Sequence, residues 1–286
     1  MKRFLNLFVL FTFCFSQLNS YPQALGHNTP PVSRLNLLSV SESFEPLTIK
    51  GLKLYANDPF KVDFLIKEGN AHYADAQFKE ETSRLIGYFL ACLTIPQDDL
   101  WVNLSPYEQN RIIPQELSVT QMGADMLNQD YILKQLSASL TYPDSATGKK
   151  YWSEKNNLRS SARNELAKIW IIPDKAVVYA DSDKAYVGDS TLKVMMQDDY
   201  LARGEGTKVK GDTGVFKANI LPLVLKEVNE GKNFSRLRQM YKSFILAVWF
   251  KKHLKENIIN RLYADKKKVN GVDTVDAAFK EKVYNQ

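Results

Sequence analysis

The sequence predicts an α+β protein in which a β-hairpin and an antiparallel meander pack with several amphipathic helices. Three observations carry this expectation. Apolar residues alternate through Phe60, Val62, Phe64 and Ile66, which gives a strand one buried face. They recur at helical spacing through 76–93 and 120–140. Short β-prone runs separated by turn residues then fill 169–195. A chain of 286 residues, 44% hydrophobic and 24% charged, has the composition of a globular protein with a sizeable core.

The N-terminus reads Met1-Lys2-Arg3, then a nearly continuous apolar run from Phe4 to Phe15, then Ser16-Gln17-Leu18-Asn19-Ser20. A basic start, a short apolar centre and a small-residue exit are the parts of a secretory signal peptide. Spanning a membrane takes roughly 20 apolar residues, and this run is shorter. Residues 1–20 are therefore assigned as a signal, with cleavage after Ser20 or Ala24. Bulky Phe11 and Phe13 before Cys14 argue against lipoprotein processing. Residues 21–45, with Pro22, Gly26, Pro30 and Pro31, read as a flexible leader, and 46–286 as one α+β domain.

Within that domain, 47–55 and 60–67 form the hairpin across Asn57-Asp58-Pro59. The helix over 76–93 stops at Pro96. A second helix over 120–140 has Thr120 at its N-cap and ends before Tyr142-Pro143-Asp144. The meander follows as Ile169-Trp170-Ile171-Ile172, Ala176-Val177-Val178-Tyr179, Ala185-Tyr186-Val187 and Leu192-Lys193-Val194-Met195. Pro173-Asp174, Asp181-Ser182-Asp183 and Gly188-Asp189 separate these runs. Helices return at 213–229, interrupted or delayed by Pro222, and at 234–262, with Leu237, Tyr241, Phe244 and Val248 as the buried stripe. The wholly apolar stretch 244–250 is too short to cross a bilayer.

Removing the signal takes away Lys2 and Arg3 and lowers the formal charge of +6 by two. The remaining bases are scattered rather than gathered with aromatics on one face, so a nucleic-acid reader is not predicted. Cys92 is then the single thiol, set among Phe89, Leu90 and Leu93, and reads as a small buried hydrophobe. Among the histidines, His27 falls in the leader, His72 in a loop and His253 beside Lys251 and Lys252 on an exposed helix face. None has a partner at ligand spacing, so no metal or cofactor is predicted. Gly-x-Ser-x-Gly and Ser-x-x-Lys nucleophile settings are missing. Arg203-Gly204-Glu205-Gly206 lacks the Lys-Ser of a phosphate loop and reads as a loop. The doublets Asp98-Asp99 and Asp198-Asp199 are neighbours in the chain, a poor arrangement for two acids facing across a cleft.

The segment with the densest chemistry is 98–114, which joins two helices. It brings Trp101 and Tyr107 together with Asn103, Glu108 and Arg111, the mixture of aromatic and polar groups common in binding loops. These five are the candidate binding residues; the bland alternative is a loop packed on the core through Trp101. Asn103-Leu104-Ser105 and Asn233-Phe234-Ser235 fit the glycosylation acceptor pattern, which is frequent by chance.

The strings Leu100-Trp101-Val102-Asn103-Leu104-Ser105-Pro106-Tyr107-Glu108, Arg111-Ile112-Ile113-Pro114, Gln129-Asp130-Tyr131-Ile132-Leu133-Lys134-Gln135 and Glu227-Val228-Asn229-Glu230-Gly231-Lys232-Asn233-Phe234 resemble a family of exported bacterial proteins without an assigned activity. The resemblance covers about 50–284 and departs between 151 and 166. It implies export and an envelope setting, and supplies no catalytic residue. The function expected is that of a periplasmic or secreted, non-catalytic protein that binds a protein or envelope partner. The alternative is a hydrolase of peptide or glycan whose acids come from Asp98, Asp99 and Glu108.

Overall fold

The computed structural model describes residues 37–55, 58–94, 115–157, 169–181, 183–200, 214–264, 268–269 and 272–273. The fold is α+β. Strands β1 (Thr48–Tyr55) and β2 (Asp58–Lys67) form the first hairpin, and β3 (Ile169–Asp181) and β4 (Lys184–Met196) form the second. The two hairpins join through β1 and β4 into an antiparallel sheet of order β2-β1-β4-β3. Two short strands, β5 (Lys268–Val269) and β6 (Val272–Asp273), pair separately.

The four runs expected as a meander are antiparallel, but they fuse in pairs into two long strands. Of the three turn signals, only the one at Asp181–Asp183 makes a turn; Asp181 pairs with Lys184 directly across it. At the other two the ladder shifts register instead. One extra residue falls on β3 between Pro173 and Lys175. Another falls on β4, where Ala176 faces Ser190 and Val178 faces Val187. A bulge and a turn draw on the same residues, because both need a locally unpaired backbone. Pro173 is tolerated because β3 lies at the sheet edge.

The helices are α1 (Asp75–Thr94), α2 (Gln115–Ser118), α3 (Gln121–Leu140), α4 (Ala146–Asn157), α5 (Gly214–Asn219), α6 (Leu221–Glu230) and α7 (Ser235–Ala264). Thr120 caps α3, its hydroxyl accepting from the Gly123 N–H at 3.1 Å. Pro222 sits in the first turn of α6, where its missing N–H costs nothing. It thereby divides the expected 213–229 helix into α5 and α6. Helix α4 has no counterpart in the sequence reading. Ser145 Oγ accepts from the Gly148 N–H at 2.9 Å at its start, and the Trp152 indole donates to the Thr141 carbonyl at 2.7 Å.

Helix α7, 30 residues long, is the spine. It lies against β1, β3 and β4 and also meets α1, α3 and α6. Leu237, Met240, Tyr241, Ile245, Leu246, Ala247 and Phe250 are buried along it, facing Leu47, Ile49 and Leu52 of the β1 region and Leu85, Phe89 and Cys92 of α1 in one core. Phe89 makes edge-on contacts with Phe64 at 5.1 Å and Phe250 at 5.8 Å, tying β2, α1 and α7 together. Cys92 is fully buried, and that burial pushes its thiol up to about 12, as befits an inert core residue. His253 is half-buried rather than on an open face, its ring stacked on Trp249 at 4.8 Å.

Polar groups cross the core in defined pairs. Arg236 forms a two-pronged ion pair with Glu81, one prong at 2.7 Å. The Tyr88 hydroxyl donates to Asp125 at 2.5 Å, and the Gln239 amide to the Leu47 carbonyl at 2.7 Å. Residues 37–45, the end of the expected flexible leader, are laid along α6 and α7. The Ser41 N–H and hydroxyl both donate to the buried Glu227 carboxylate at 2.7 Å, and the Asn233 N–H joins them at 3.1 Å. Phe44 N–H donates to the Glu230 carbonyl at 2.8 Å, and Ser43 bridges to Gly231. Among the described residues no helix is long and apolar enough to cross a membrane.

Candidate functional site: a cationic cleft where two strands part

The ladder between β1 and β4 holds only from Lys53–Lys184 to Gly51–Tyr186. Beyond Gly51 each strand keeps its outer partner, β1 with β2 and β4 with β3, but not the other. Each also carries a bulge at that point. In β1, Ile49 faces Ile66 and Gly51 faces Leu65, so Lys50 is the extra residue; in β4 the extra residue lies at Gly188-Asp189. Bulges turn a side chain away from the pleat it would otherwise follow. Here they open the sheet and bring Lys50, Gly188 and Asp189 to the lining of a cleft of about 510 Å³. That volume falls within the usual range of ligand sites, about 300–1,000 Å³.

The other walls come from three elements. Helix α7 contributes Arg238, Tyr241 and Lys242; the strap 43–46 contributes Phe44 and Glu45; the end of β2 and the following loop contribute Lys67 and Asn70. Ser43, Ser190, Asn229 and Glu230 complete much of the rim. The Asn229 amide is already spent clamping α6 to β4 through both backbone groups of Leu192, at 2.9 Å each.

The cations fall into two classes. Lys67 is paired with Glu45 at 2.5 Å. That hydrogen bond, with further help from Lys242 and Lys50 and against the cost of burial, holds the Glu45 carboxyl below its ordinary value. Arg238 is bound to backbone, donating to the Val228 carbonyl at 2.9 Å and the Phe44 carbonyl at 2.7 Å. Burial pulls its proton affinity down, opposed by Glu227, Glu230 and Glu45, yet a guanidinium stays charged. Lys50 and Lys242 are different. Both are half-buried, and among the described residues neither forms an ion pair. Burial, then the neighbouring Lys50 charge, bring Lys242 down to about 8; Glu45 opposes the fall, and Lys67 and Arg238 add to it. Tyr241 beside it is pushed up to about 12 by burial, and its hydroxyl donates to the Lys175 carbonyl at 3.2 Å.

Two half-buried ammonium groups that repel one another, and that share only the field of a Glu45 carboxylate already paired with Lys67, are poorly compensated within the fold. They suit an anion, which would relieve both charges at once. Among the described residues no group of three or more His, Cys, Asp or Glu could hold a metal ion.

Trp101, Asn103, Tyr107, Glu108 and Arg111, and with them Asp98 and Asp99, lie outside the described residues. Of the other acidic doublet, Asp199 is taken up by Lys217 at 2.7 Å. The cleft residues were not singled out in the sequence. Lys50 reads as the polar position of a strand, and only the bulge gives it a new direction. Lys242 did carry a signal: it follows Arg238 by one helical turn within the 30-residue helix, directly beside the buried stripe residue Tyr241. Compared with known proteins, the chain matches no family model, no curated protein and no solved structure.

Proposed function

We propose that this chain is an exported, non-catalytic binding protein of the bacterial periplasm or exterior, and that it takes hold of an anionic group of its partner in the Lys50–Lys242 cleft. Export is supported by the basic start and short apolar run of 1–20, by the single cysteine left in the body, and by the resemblance of the long strings within 100–135 and 227–234 to exported proteins. The observation that carries the binding reading is the pair of ammonium groups, Lys50 and Lys242, that form no ion pair among the described residues and line the cleft where β1 and β4 separate. Such a pair adds nothing to an empty fold and gains from an anionic ligand. The α6–α7 junction, the strap and the two bulges converge to hold that cleft open in advance.

A melting experiment tests the cleft. Anions are added singly at millimolar concentration: acetate, succinate, citrate, sulfate, phosphate and a poly-glutamate peptide. At least one should raise the melting temperature of the wild type by about 3 °C or more, and the Lys50→Met, Lys242→Met double variant should not respond. Equal responses from both proteins would remove the cleft as the binding site. Fractionation of producing cells, with the mass of the protein's N-terminus, tests export. Intact Met1 on protein confined to the cytosol would defeat that part.

A further inference from the structure

We propose that the ligand group of the cleft is a phosphate monoester, gripped jointly by Lys50 and Lys242. The proposal rests on the reading of the cleft as an anion-binding site and deepens it by naming the anion. The argument is one of charge count and donor shape. The two ammonium groups without an ion pair add up to two positive charges, and they sit on different walls, β1 and α7. A carboxylate, with one charge and a planar pair of oxygens, neutralises one of them and leaves the other buried. A phosphate monoester carries nearly two charges above pH ~6 and presents three oxygens in a tetrahedral array, so one group answers both lysines. Lysine is suited to this as a compact point charge with freely rotating donors. The planar fork that favours bidentate carboxylate recognition is not on offer, because the Arg238 guanidinium is already donating to two backbone carbonyls. Asn70 and Ser190, neutral side chains on the same lining, can serve the remaining oxygen.

Glu45 offsets part of that charge. Its carboxylate is hydrogen-bonded to Lys67 at 2.5 Å and also lies in the field of Lys242 and Lys50, but among the described residues it forms an ion pair with neither of those two. Asp189 and Glu230 are exposed on the rim. They would repel an extended polyanion while tolerating a single terminal phosphate.

The test is calorimetric titration of the full mature chain at pH 7 with inorganic phosphate and glycerol 3-phosphate, and with acetate and succinate as the carboxylate arm. Saturable binding of both phosphates, stronger than either carboxylate, is expected. Lys50→Met and Lys242→Met should each weaken it roughly tenfold or more, the size of one charge-assisted hydrogen bond. Lys242→Arg, which keeps the charge, should retain part of it. All variants should melt no lower than wild type, which separates lost binding from lost folding. Flotation with phosphatidylcholine vesicles, with and without phosphatidic acid, identifies the source. Lysine-dependent flotation marks a lipid headgroup; its absence alongside solution binding marks a soluble phosphate. Tighter lysine-dependent binding of succinate than of phosphate would overturn the phosphate assignment and leave the anion cleft standing. No binding of any anion, or binding that both methionine variants retain, would overturn the two together.

Discussion

Arg236 and Lys242 lie on the same helix, both drawn into the body of the protein, and their surroundings treat them in opposite ways. Arg236 meets Glu81 in a two-pronged pair and also donates to Gln239 at 3.1 Å. The hydrogen bond that it donates to Glu81 does most to raise its affinity for the proton. Lys242 has no such acid, and burial with the nearby Lys50 lowers its own. A charge used for architecture is given its counter-charge within the chain. A charge left without one, in a cleft that bulged strands keep open, is placed to receive its counter-charge from outside. The contrast makes the two groups respond differently to removal.

The largest effect is expected at the paired site. Glu81→Ala leaves the Arg236 guanidinium in place without its partner and should cost about 3 kcal/mol in urea unfolding. Glu81 is held below its ordinary 4.5, chiefly by the hydrogen bond from Arg236. Its contribution is therefore complete above that value and lost as the pH falls through the folded-state value. The wild type should lose stability on acidification there more steeply than the variant. An Ala variant as stable as wild type would show that the pair is no cross-tie and would blur the distinction from Lys242.

A second contrast sits at the strap. Gly231 lies so close to Glu227 that a Cβ there would fall 2.1 Å from the carboxyl carbon. The carboxylate cannot simply swing away, because three donors from Ser41 and Asn233 hold it. Gly231→Ala should therefore cost about 2 kcal/mol. It should also release 37–45, seen as faster proteolysis within that stretch, and loosen the wall that Phe44 and Glu45 give the cleft. Weakened anion binding in this variant would tie strap to site; unchanged proteolysis would deny that Glu227 fastens it.

How much of this could be read in the sequence depended on whether the signal was local. The β1–β2 hairpin was legible because Val62, Phe64 and Ile66 fall at alternate positions, with Lys61, Asp63 and Lys67 among their neighbours and Leu65 breaking the pattern, and α3 because Thr120 announces its cap. Pro222 gave the division between α5 and α6. Helix α4 was not legible. Its large apolar side chains, Tyr151 and Trp152, are adjacent and set up no period, and it is held by contacts at its start and with α3. Pro173-Asp174 and Gly188-Asp189 read as turns between separate strands and are bulges within two long ones, because residue type alone does not separate a bulge from a turn. The cleft was least legible of all. It joins Lys50 to Lys242 through strand register and helix packing, neither of which is written in the neighbourhood of either residue. The aromatic segment carrying Trp101 and Arg111 was conspicuous because its chemistry is contiguous in the chain; it lies outside the described residues.

The smallest effect, and the one most particular to the comparison, belongs to Lys242→Met. Taking away an unpaired, half-buried charge should stabilise the anion-free protein at pH 7, by about 1 kcal/mol. The sign can be followed with pH. Lys242 falls from its ordinary 10.5 to about 8 in the fold. Between those values the unfolded chain binds the proton that the folded one has shed, so this group makes stability rise with pH across that window. Cys92 acts in the opposite sense above its ordinary 9, because burial keeps it protonated in the fold up to about 12. The difference between wild type and variant is therefore the quantity to follow. It should be greatest below pH 8, where Lys242 is charged against the field of Lys50, Lys67 and Arg238 with only Glu45 in opposition, and Asp189 and Glu230 standing off on the rim. It should close by pH 10.5. Saturating phosphate should close it at pH 7 as well, since the anion supplies what the cleft lacks. A variant gap that ignores both pH and phosphate would mean that Lys242 is merely a tolerated charge, and the opposition with Arg236 would lose its functional meaning.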